Sequence, residues 1–488
     1  MNILVIDVGT SSMRGILLTH EGKELVKKQC FYKPFYGKNG WVEQKASDWE
    51  RALFIITKVI AEQAKAHSWE IDAISVTAQR SSVIPVDASI KPLCKAIMWQ
   101  DRRANEICEE LKWANDRIFD LCGSRVNPVF SGGKIAWLKK KQPELYGKTW
   151  KFLVIPDYLQ YLMTGKLCTD HTYGSRSLLM NLRRRQWDAE LLNLFNIEKE
   201  KLCELVTPGI ICGMTTKEFA GRTGCKEGIP VLTAGGDQQC GAVGQGVINE
   251  GDVSITAGTG AFLLASVRRV PENLKSDVIC NASAIKNQYV LESNVLTCCS
   301  AFDWFRHEFF GMDSYEKINR ELATVPPGSN GCLCIPYFQG RTTPDWNKEA
   351  KGVFANVTLA TTKQDMLRSI LEGLSYEVAN GIENMKKYID ISSIYVNGGL
   401  TESELFNEIQ CNVYKNRIIR RGKADATARG ALMIGAVTLG MYRTVSDAFA
   451  AISSGDSVKE YYPSDKMEEV YQIYRKEMNQ LYRKMWIV

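Results

Sequence analysis

Histidine is scarce, at four in 488 residues, and that scarcity argues against a His/Cys metal centre. The fifteen cysteines are scattered, and neither Cys298-Cys299 in "LTCCS" nor Cys332 and Cys334 in "GCLCIP" has the paired spacing of a zinc site. An odd number of thiols in a long chain reads instead as reduced, which points to the cytoplasm. Also lacking is an apolar run long enough to cross a bilayer, the longest lying near "ALMIGAVTLGMY". The opening "MNILVIDVGT" reaches an aspartate after a few apolar residues, without a basic leader. There is no low-complexity block and no long charged tail, and a net charge of +6 is thin over so large a surface. The short clusters Arg183 to Arg185 and Arg420-Arg421 read as solvated turns rather than a nucleic-acid footprint. The expectation is a cytoplasmic protein with a small-molecule partner, no nucleic acid and no membrane anchor.

What the chain does have is length and a repeated local grammar. Its 488 residues favour two or more domains of roughly 100 to 250 residues each. "NILVIDVGTSSMRGILL" reads as a buried strand over Ile3 to Ile6, a tight turn at Gly9, and a second strand over Gly15 to Leu18. The hydroxyls of Thr10, Ser11 and Ser12 crowd the turn. Such a tip suits phosphate, because glycine admits an anion close to the backbone and the N–H groups and hydroxyls supply donors. Asp7, at the end of the first strand, is placed to hold a divalent cation, directly or through water. The grammar recurs at "GDVSITAGTGAFLLASV", where Gly258, Thr259 and Gly260 separate two strands. Two phosphate loops, dividing the chain near its middle, are what a nucleotide held between two related lobes needs.

The second half then reads as helix, strand and helix. Leu367, Ile370, Leu371, Leu374, Val378, Ile382 and Met385 fall on one helical face, with Thr362 and Asp365 at capping-box spacing before it. A strand over Ile394 to Val396 leads to Gly398-Gly399 and to a helix expected to be capped by Thr401 with Glu404. A double glycine there lets a flat ring lie against backbone, as adenine would, although a plain connector reads the same way. "DATARGALMIGAV" is expected to form a further helix whose small residues allow close packing.

The order of these pieces resembles the FGGY carbohydrate kinases, over essentially the whole chain: "IDVGTSS", "WVEQKASDWERAL", "SVTAQRSS", "MWQDRRA", "PDYLQYLMTGK", "GGDQQCGAVGQG", "ITAGTGAF", "NGGLTES" and "DATARGALMIGA". The resemblance implies an α/β, two-lobed, actin-like ATPase fold, each lobe with an RNase H-like core, closing over ATP and a sugar. It places the N-terminal domain at residues 1–247 and the C-terminal domain at 248–488. It implies Asp7 at magnesium, Thr10, Ser11, Ser12 and Arg14 at the phosphates from one lobe, and Gly258, Thr259 and Gly260 from the other. Gly398, Gly399 and Ser403 would border adenosine. Asp237 matches the family's catalytic base, and a helix opening at "DQQCGAVGQG" would favour its charged form; the plain alternative is a helix cap. Gln79, Arg80, Trp99 and Gln238 match the acceptor pocket. The resemblance also implies a homodimer.

Ser81 stands where glycerol kinases carry glutamate, and Val129 where they carry tyrosine. Losing a carboxylate and a phenol points away from glycerol and toward a somewhat larger polyol, a ketose or a sugar acid. Xylulose kinases commonly read Gln-Met-His where this chain reads Gln79-Arg80-Ser81, so xylulose is not a clean match either. The expected reaction is therefore transfer of the ATP γ-phosphate to a hydroxyl of such an acceptor. The alternatives are an actin-like or Hsp70-like ATPase, and an inactive sugar-sensing relative. An acceptor pocket around Arg80, Trp99 and Asp237 separates the first from a kinase, and an intact Asp7, Asp237 and both loops speak against the second.

Overall fold

The computed structural model describes residues 1–311, 314–422 and 425–486. Strand β1 (Asn2–Val8) buries both faces, Leu4, Ile6 and Val8 toward one core and Ile3 and Val5 toward another. A strand buried on both sides reads as a continuous apolar run rather than an alternation. It pairs antiparallel with β2 (Ser12–Thr19), which pairs antiparallel with β3 (Glu24–Phe31). On its other side β1 runs parallel to β4 (Ala73–Ala78). With β5 (Ile211–Met214) and β6 (Pro230–Gly236) the sheet order is β5-β6-β4-β1-β2-β3.

The second half builds the same core again. Strand β7 (Asp252–Ala257) pairs antiparallel with β8 (Ala261–Val267). Next come β9 (Ile279–Ala282), β10 (Tyr289–Val295), β11 (Ser393–Asn397), β12 (Ile418–Arg421) and β13 (Val458–Tyr461), in the order β9-β10-β8-β7-β11-β12-β13. The five strands β10-β8-β7-β11-β12 repeat β3-β2-β1-β4-β6 in order and in every parallel or antiparallel sense. In each half a long helix leads into the strand that runs parallel to the central one: α1 (Ala46–Ala66) before β4, and Lys363–Lys386 before β11. The latter begins at the expected capping box, and all seven residues of its expected apolar face are buried.

After the last parallel strand of the first half comes α2 (Asp237–Gln245); at the same place in the second half stands α3 (Ala426–Thr438). These repeat-related helices pack on each other, and α3 also covers β1, β4 and β6 of the first sheet. Their separation is set by glycine: a Cβ at Gly430 would lie 1.9 Å from the Cys240 carbonyl oxygen, and one at Gly244 would lie 1.9 Å from that of Ala426. The junction is filled by Ile3, Val5, Leu232, Ala428, Ala431 and Leu432. An aspartate starts each of the two helices, Asp237 as the first residue of α2 and Asp425 as the cap of α3. Among the described residues no helix is long and apolar enough to cross a membrane.

Candidate active site

The first turn is closed by the Gly9 N–H, which donates to the Ser12 carbonyl at 2.9 Å, while the Tyr32 hydroxyl donates to the Gly9 carbonyl at 2.7 Å. Thr10 is where two expected functions meet. Its hydroxyl accepts from the Trp99 indole N–H at 3.1 Å and lies 3.4 Å from Gln79 Oε1. Gln79 in turn reaches the Gly9 carbonyl at 3.4 Å. Two residues expected in the acceptor pocket thus brace the loop expected to hold phosphate. Ser11 is exposed at the tip, and the Ser12 hydroxyl accepts from Gln29 at 2.9 Å.

Asp7 is buried beneath this loop and paired with Arg14 across the hairpin. Arg14 also reaches Asp425 at 2.6 Å, so its guanidinium links the first hairpin to the cap of α3. Burial lifts the Asp7 carboxyl to about 6; the Arg14 charge works against that rise, while Asp425 and Asp237 add to it. Among the described residues no three His, Cys, Asp or Glu side chains cluster as a self-sufficient metal cage. Magnesium that arrives on nucleotide phosphates needs only one or two protein carboxylates. A single buried carboxyl whose charged form lacks solvation fits that demand.

The second loop is held from behind. The backbone N–H groups of Cys298 and Cys299 donate to the Thr259 and Gly258 carbonyls at 2.7 and 2.9 Å. This spends the loop's acceptors inward and leaves Thr259 exposed at the tip. Gly398 adjoins it: φ is +102°, and a Cβ there would fall 2.2 Å from the Ala257 carbonyl oxygen, so only glycine lets the chain pass so close. Gly399, exposed, follows. The structure therefore places Gly258 to Gly260 beside Gly398-Gly399, as a nucleotide spanning both would require. Thr401 does not cap the next helix. Its hydroxyl turns back to the Gly398 carbonyl at 2.7 Å within a short 3-10 turn, and the helix runs Glu404–Tyr414 with Ser403 as its cap. The Ser403 hydroxyl accepts from the Phe406 N–H at 3.2 Å and contacts Asn319 at 2.9 Å.

Asp237 opens α2, as the sequence suggested, but Gly236 takes the cap position; the carboxylate accepts from the Gln238 N–H at 2.8 Å. Its side chain keeps about a quarter of its surface open, at 24%. Burial raises its pKa from the ordinary carboxylate value, and Arg80 opposes the rise. The Arg80 Nε stands 3.8 Å from Asp237 Oδ1. Its terminal nitrogens donate across the cleft to Glu292 of β10, at 3.0 and 3.4 Å. Arg176 donates to the same carboxylate at 3.2 Å, and Asn281 at 3.0 Å. The two arginines hold the Glu292 carboxyl down at about 2 although it is buried.

Glu292, Arg176, Asn281 and Asp425 escaped the sequence reading. Arg176 and Glu292 are 116 positions apart, and nothing local announces their pairing. A glutamate in the strand "YVLESNV", directly after the apolar Tyr289 to Leu291, was the one available signal. Ser81 is also more than a lost glutamate. It is buried, holds φ +69°, and donates its hydroxyl to the Arg176 carbonyl at 3.2 Å. The carbonyl of Val129 accepts from the buried Lys134, which also donates to that of Pro128 at 2.9 Å.

The profile of the FGGY family of carbohydrate kinases, N-terminal domain, matches residues 2–244, and that of the C-terminal domain matches residues 253–439. The chain is 32% identical over 455 residues to a glycerol kinase of Thermococcus gammatolerans, covering 91% of this chain and 90% of that one. Its fold matches a ligand-bound xylulose kinase of Lactobacillus acidophilus with a TM-score of 0.93 at 23% identity, over 100% and 98% of the two chains. It also matches a Plasmodium falciparum glycerol kinase with ADP, TM-score 0.91 at 23% identity, over 100% and 98%.

Proposed function

The chain belongs to the FGGY family of carbohydrate kinases and is an ATP-dependent sugar or polyol kinase, and from that premise we propose how its residues divide the work. Asp237 is the general base. It takes the proton of the acceptor hydroxyl as the oxygen bonds to the γ-phosphorus. What supports this is the placing of one carboxylate, a quarter open, at the start of α2 between the two lobes. Phosphoryl transfer asks mainly for alignment and charge neutralisation, so a carboxylate that accepts a proton late is sufficient.

Trp99 and Gln79 form a wall of the acceptor pocket and Gln238 offers a partner to a neighbouring hydroxyl. Thr10, Ser11, Ser12 and Arg14 meet the nucleotide phosphates from one lobe; Gly258, Thr259 and Gly260 meet them from the other. Gly398 and Gly399 border adenosine, with Ser403 at the rim. Asp7 would hold the magnesium that accompanies the nucleotide, which would neutralise phosphate charge there. Arg14, shared by Asp7 and Asp425, would turn from one of them to meet an incoming phosphate. Closure of the lobes excludes water that would otherwise be phosphorylated.

The acceptor we infer is a polyol or sugar with more carbons than glycerol. The support is that the Ser81 hydroxyl is spent on the Arg176 backbone and that Val129 offers no side-chain donor. Coupled ADP release across glycerol, longer polyols, ketoses and aldonates tests both parts. Strong stimulation by one of the longer acceptors is expected. A preference for glycerol would overturn the acceptor, and ATPase activity indifferent to all of them would overturn the division of roles.

A further inference from the structure

Arg80 is held at both ends. Its stem lies on Gly236, where a Cβ would meet the arginine Cδ at 2.8 Å and Cγ at 2.9 Å. Its head forks onto Glu292, at 3.0 and 3.4 Å. Between stem and head, the Nε is left facing Asp237 at 3.8 Å, too far for a closed hydrogen-bonded pair. Glu292 comes from the other lobe and is 1% exposed. Its remaining bonds to Arg176 and Asn281 fix it in turn.

We propose that Glu292 is a positioning residue for the reaction: it draws the Arg80 head toward the C-terminal lobe, so that Asp237 keeps a free oxygen for the acceptor hydroxyl. Arginine forks onto carboxylates in a planar, two-bonded fashion that sets orientation as well as distance. Without that anchor the same head can swing onto Asp237, closing the ion pair over the proton acceptor. Because the anchor crosses the cleft, the base is uncovered only when the two lobes are seated together. The inference rests on Asp237 being the base and extends it to a residue of the opposite lobe.

The groups that face Asp237 are Arg80, Arg176 and Glu292, with Asp7, Tyr173 and Cys240 also within reach of its charge. Of these, Glu292 raises the Asp237 pKa, and Arg80 and Arg176 lower it. Removing the Glu292 charge should therefore carry the acid limb of activity to lower pH.

The test is Glu292→Gln in the full-length enzyme, with the best acceptor from the panel above, followed across pH. The expected result is a kcat lower by about 10- to 100-fold, an acid limb displaced downward by about one pH unit, and a KM for ATP changed by less than about twofold. Wild-type kcat overturns the proposal. So does a lowered kcat with the acid limb unmoved, which is what a purely structural role would give. Glu292→Asp keeps the charge but withdraws it by one methylene; a kcat and an acid limb lying between those of wild type and Glu292→Gln are expected. If the glutamine variant does not fold, wild-type kcat in Glu292→Asp, or a lowered kcat with the acid limb unmoved, overturns the proposal. Retained turnover in Asp237→Asn would remove the base reading itself, a result separate from either Glu292 outcome.

Discussion

Arg80 lies 3.8 Å from Asp237 through its Nε but 3.0 Å from Glu292 through a terminal nitrogen. The arginine beside the candidate base is thus committed to the opposite lobe. Truncating it should show which partner depends on it more. Arg80→Ala leaves Glu292 buried with Arg176 and Asn281 alone. Breaking a buried pair in this way costs about 3 kcal/mol or more. Urea unfolding should show a loss of that size; a stability within about 0.5 kcal/mol of wild type would mean the pair holds nothing.

Asp7 gives a dependence of stability on pH with a definite sign. Its folded value of about 6 lies above its value in an unfolded chain. The fold therefore binds a proton that the unfolded chain has lost, and this group favours the fold most below about pH 4. That advantage disappears as pH rises through 6. Asp7→Asn does not titrate, so wild-type Tm minus variant Tm should decline steadily between pH 4 and 6 in the absence of nucleotide. A constant difference would contradict the burial of Asp7 as an acid.

The contact between α2 and α3 should tolerate no added methyl. Gly430→Ala sets a carbon against the Cys240 carbonyl, and overpacking of this kind costs roughly 1 to 3 kcal/mol or more. Gly221, in the helix Lys217–Thr223, has nothing within 4 Å of an added Cβ. Gly221→Ala should accordingly stabilise by about 0.4 to 1 kcal/mol. Equal effects of the two changes in urea would mean that the helices do not approach through glycine.

Trp99→Phe keeps the ring and removes the N–H that reaches Thr10. One hydrogen bond is worth about 0.5 to 1.5 kcal/mol. We expect kcat/KM to fall by about 2- to 10-fold, with the acceptor preference unchanged. No change would mean that the indole nitrogen does not brace the turn at Thr10.

Much of this architecture was legible from local pattern. The glycine-turn hairpins at Gly9 and Gly258 announced a repeat, and the repeat is what sets β1 and β7 at the centres of two sheets of matching order. The start of α2 at Asp237 and the capping box at Thr362 were equally local. The helix after Gly399 was misplaced by two residues. There Gly398, at φ +102°, turns the chain so that Thr401 bonds backward and Ser403 inherits the cap. Contacts across the cleft stayed hidden for a different reason. Arg14 with Asp425, and Arg80 and Arg176 with Glu292, join residues that become neighbours only when the lobes come together.

In the proposed reaction Asp237 takes the proton during phosphoryl transfer. Asp237→Asn keeps the shape of the side chain and removes its basicity. Single-turnover transfer to the preferred acceptor, measured with ADP binding by calorimetry on the same preparation, tests it most directly. Transfer slower by about 100-fold or more is expected, with ADP affinity within about twofold of wild type. Transfer within about tenfold of wild type would contradict it.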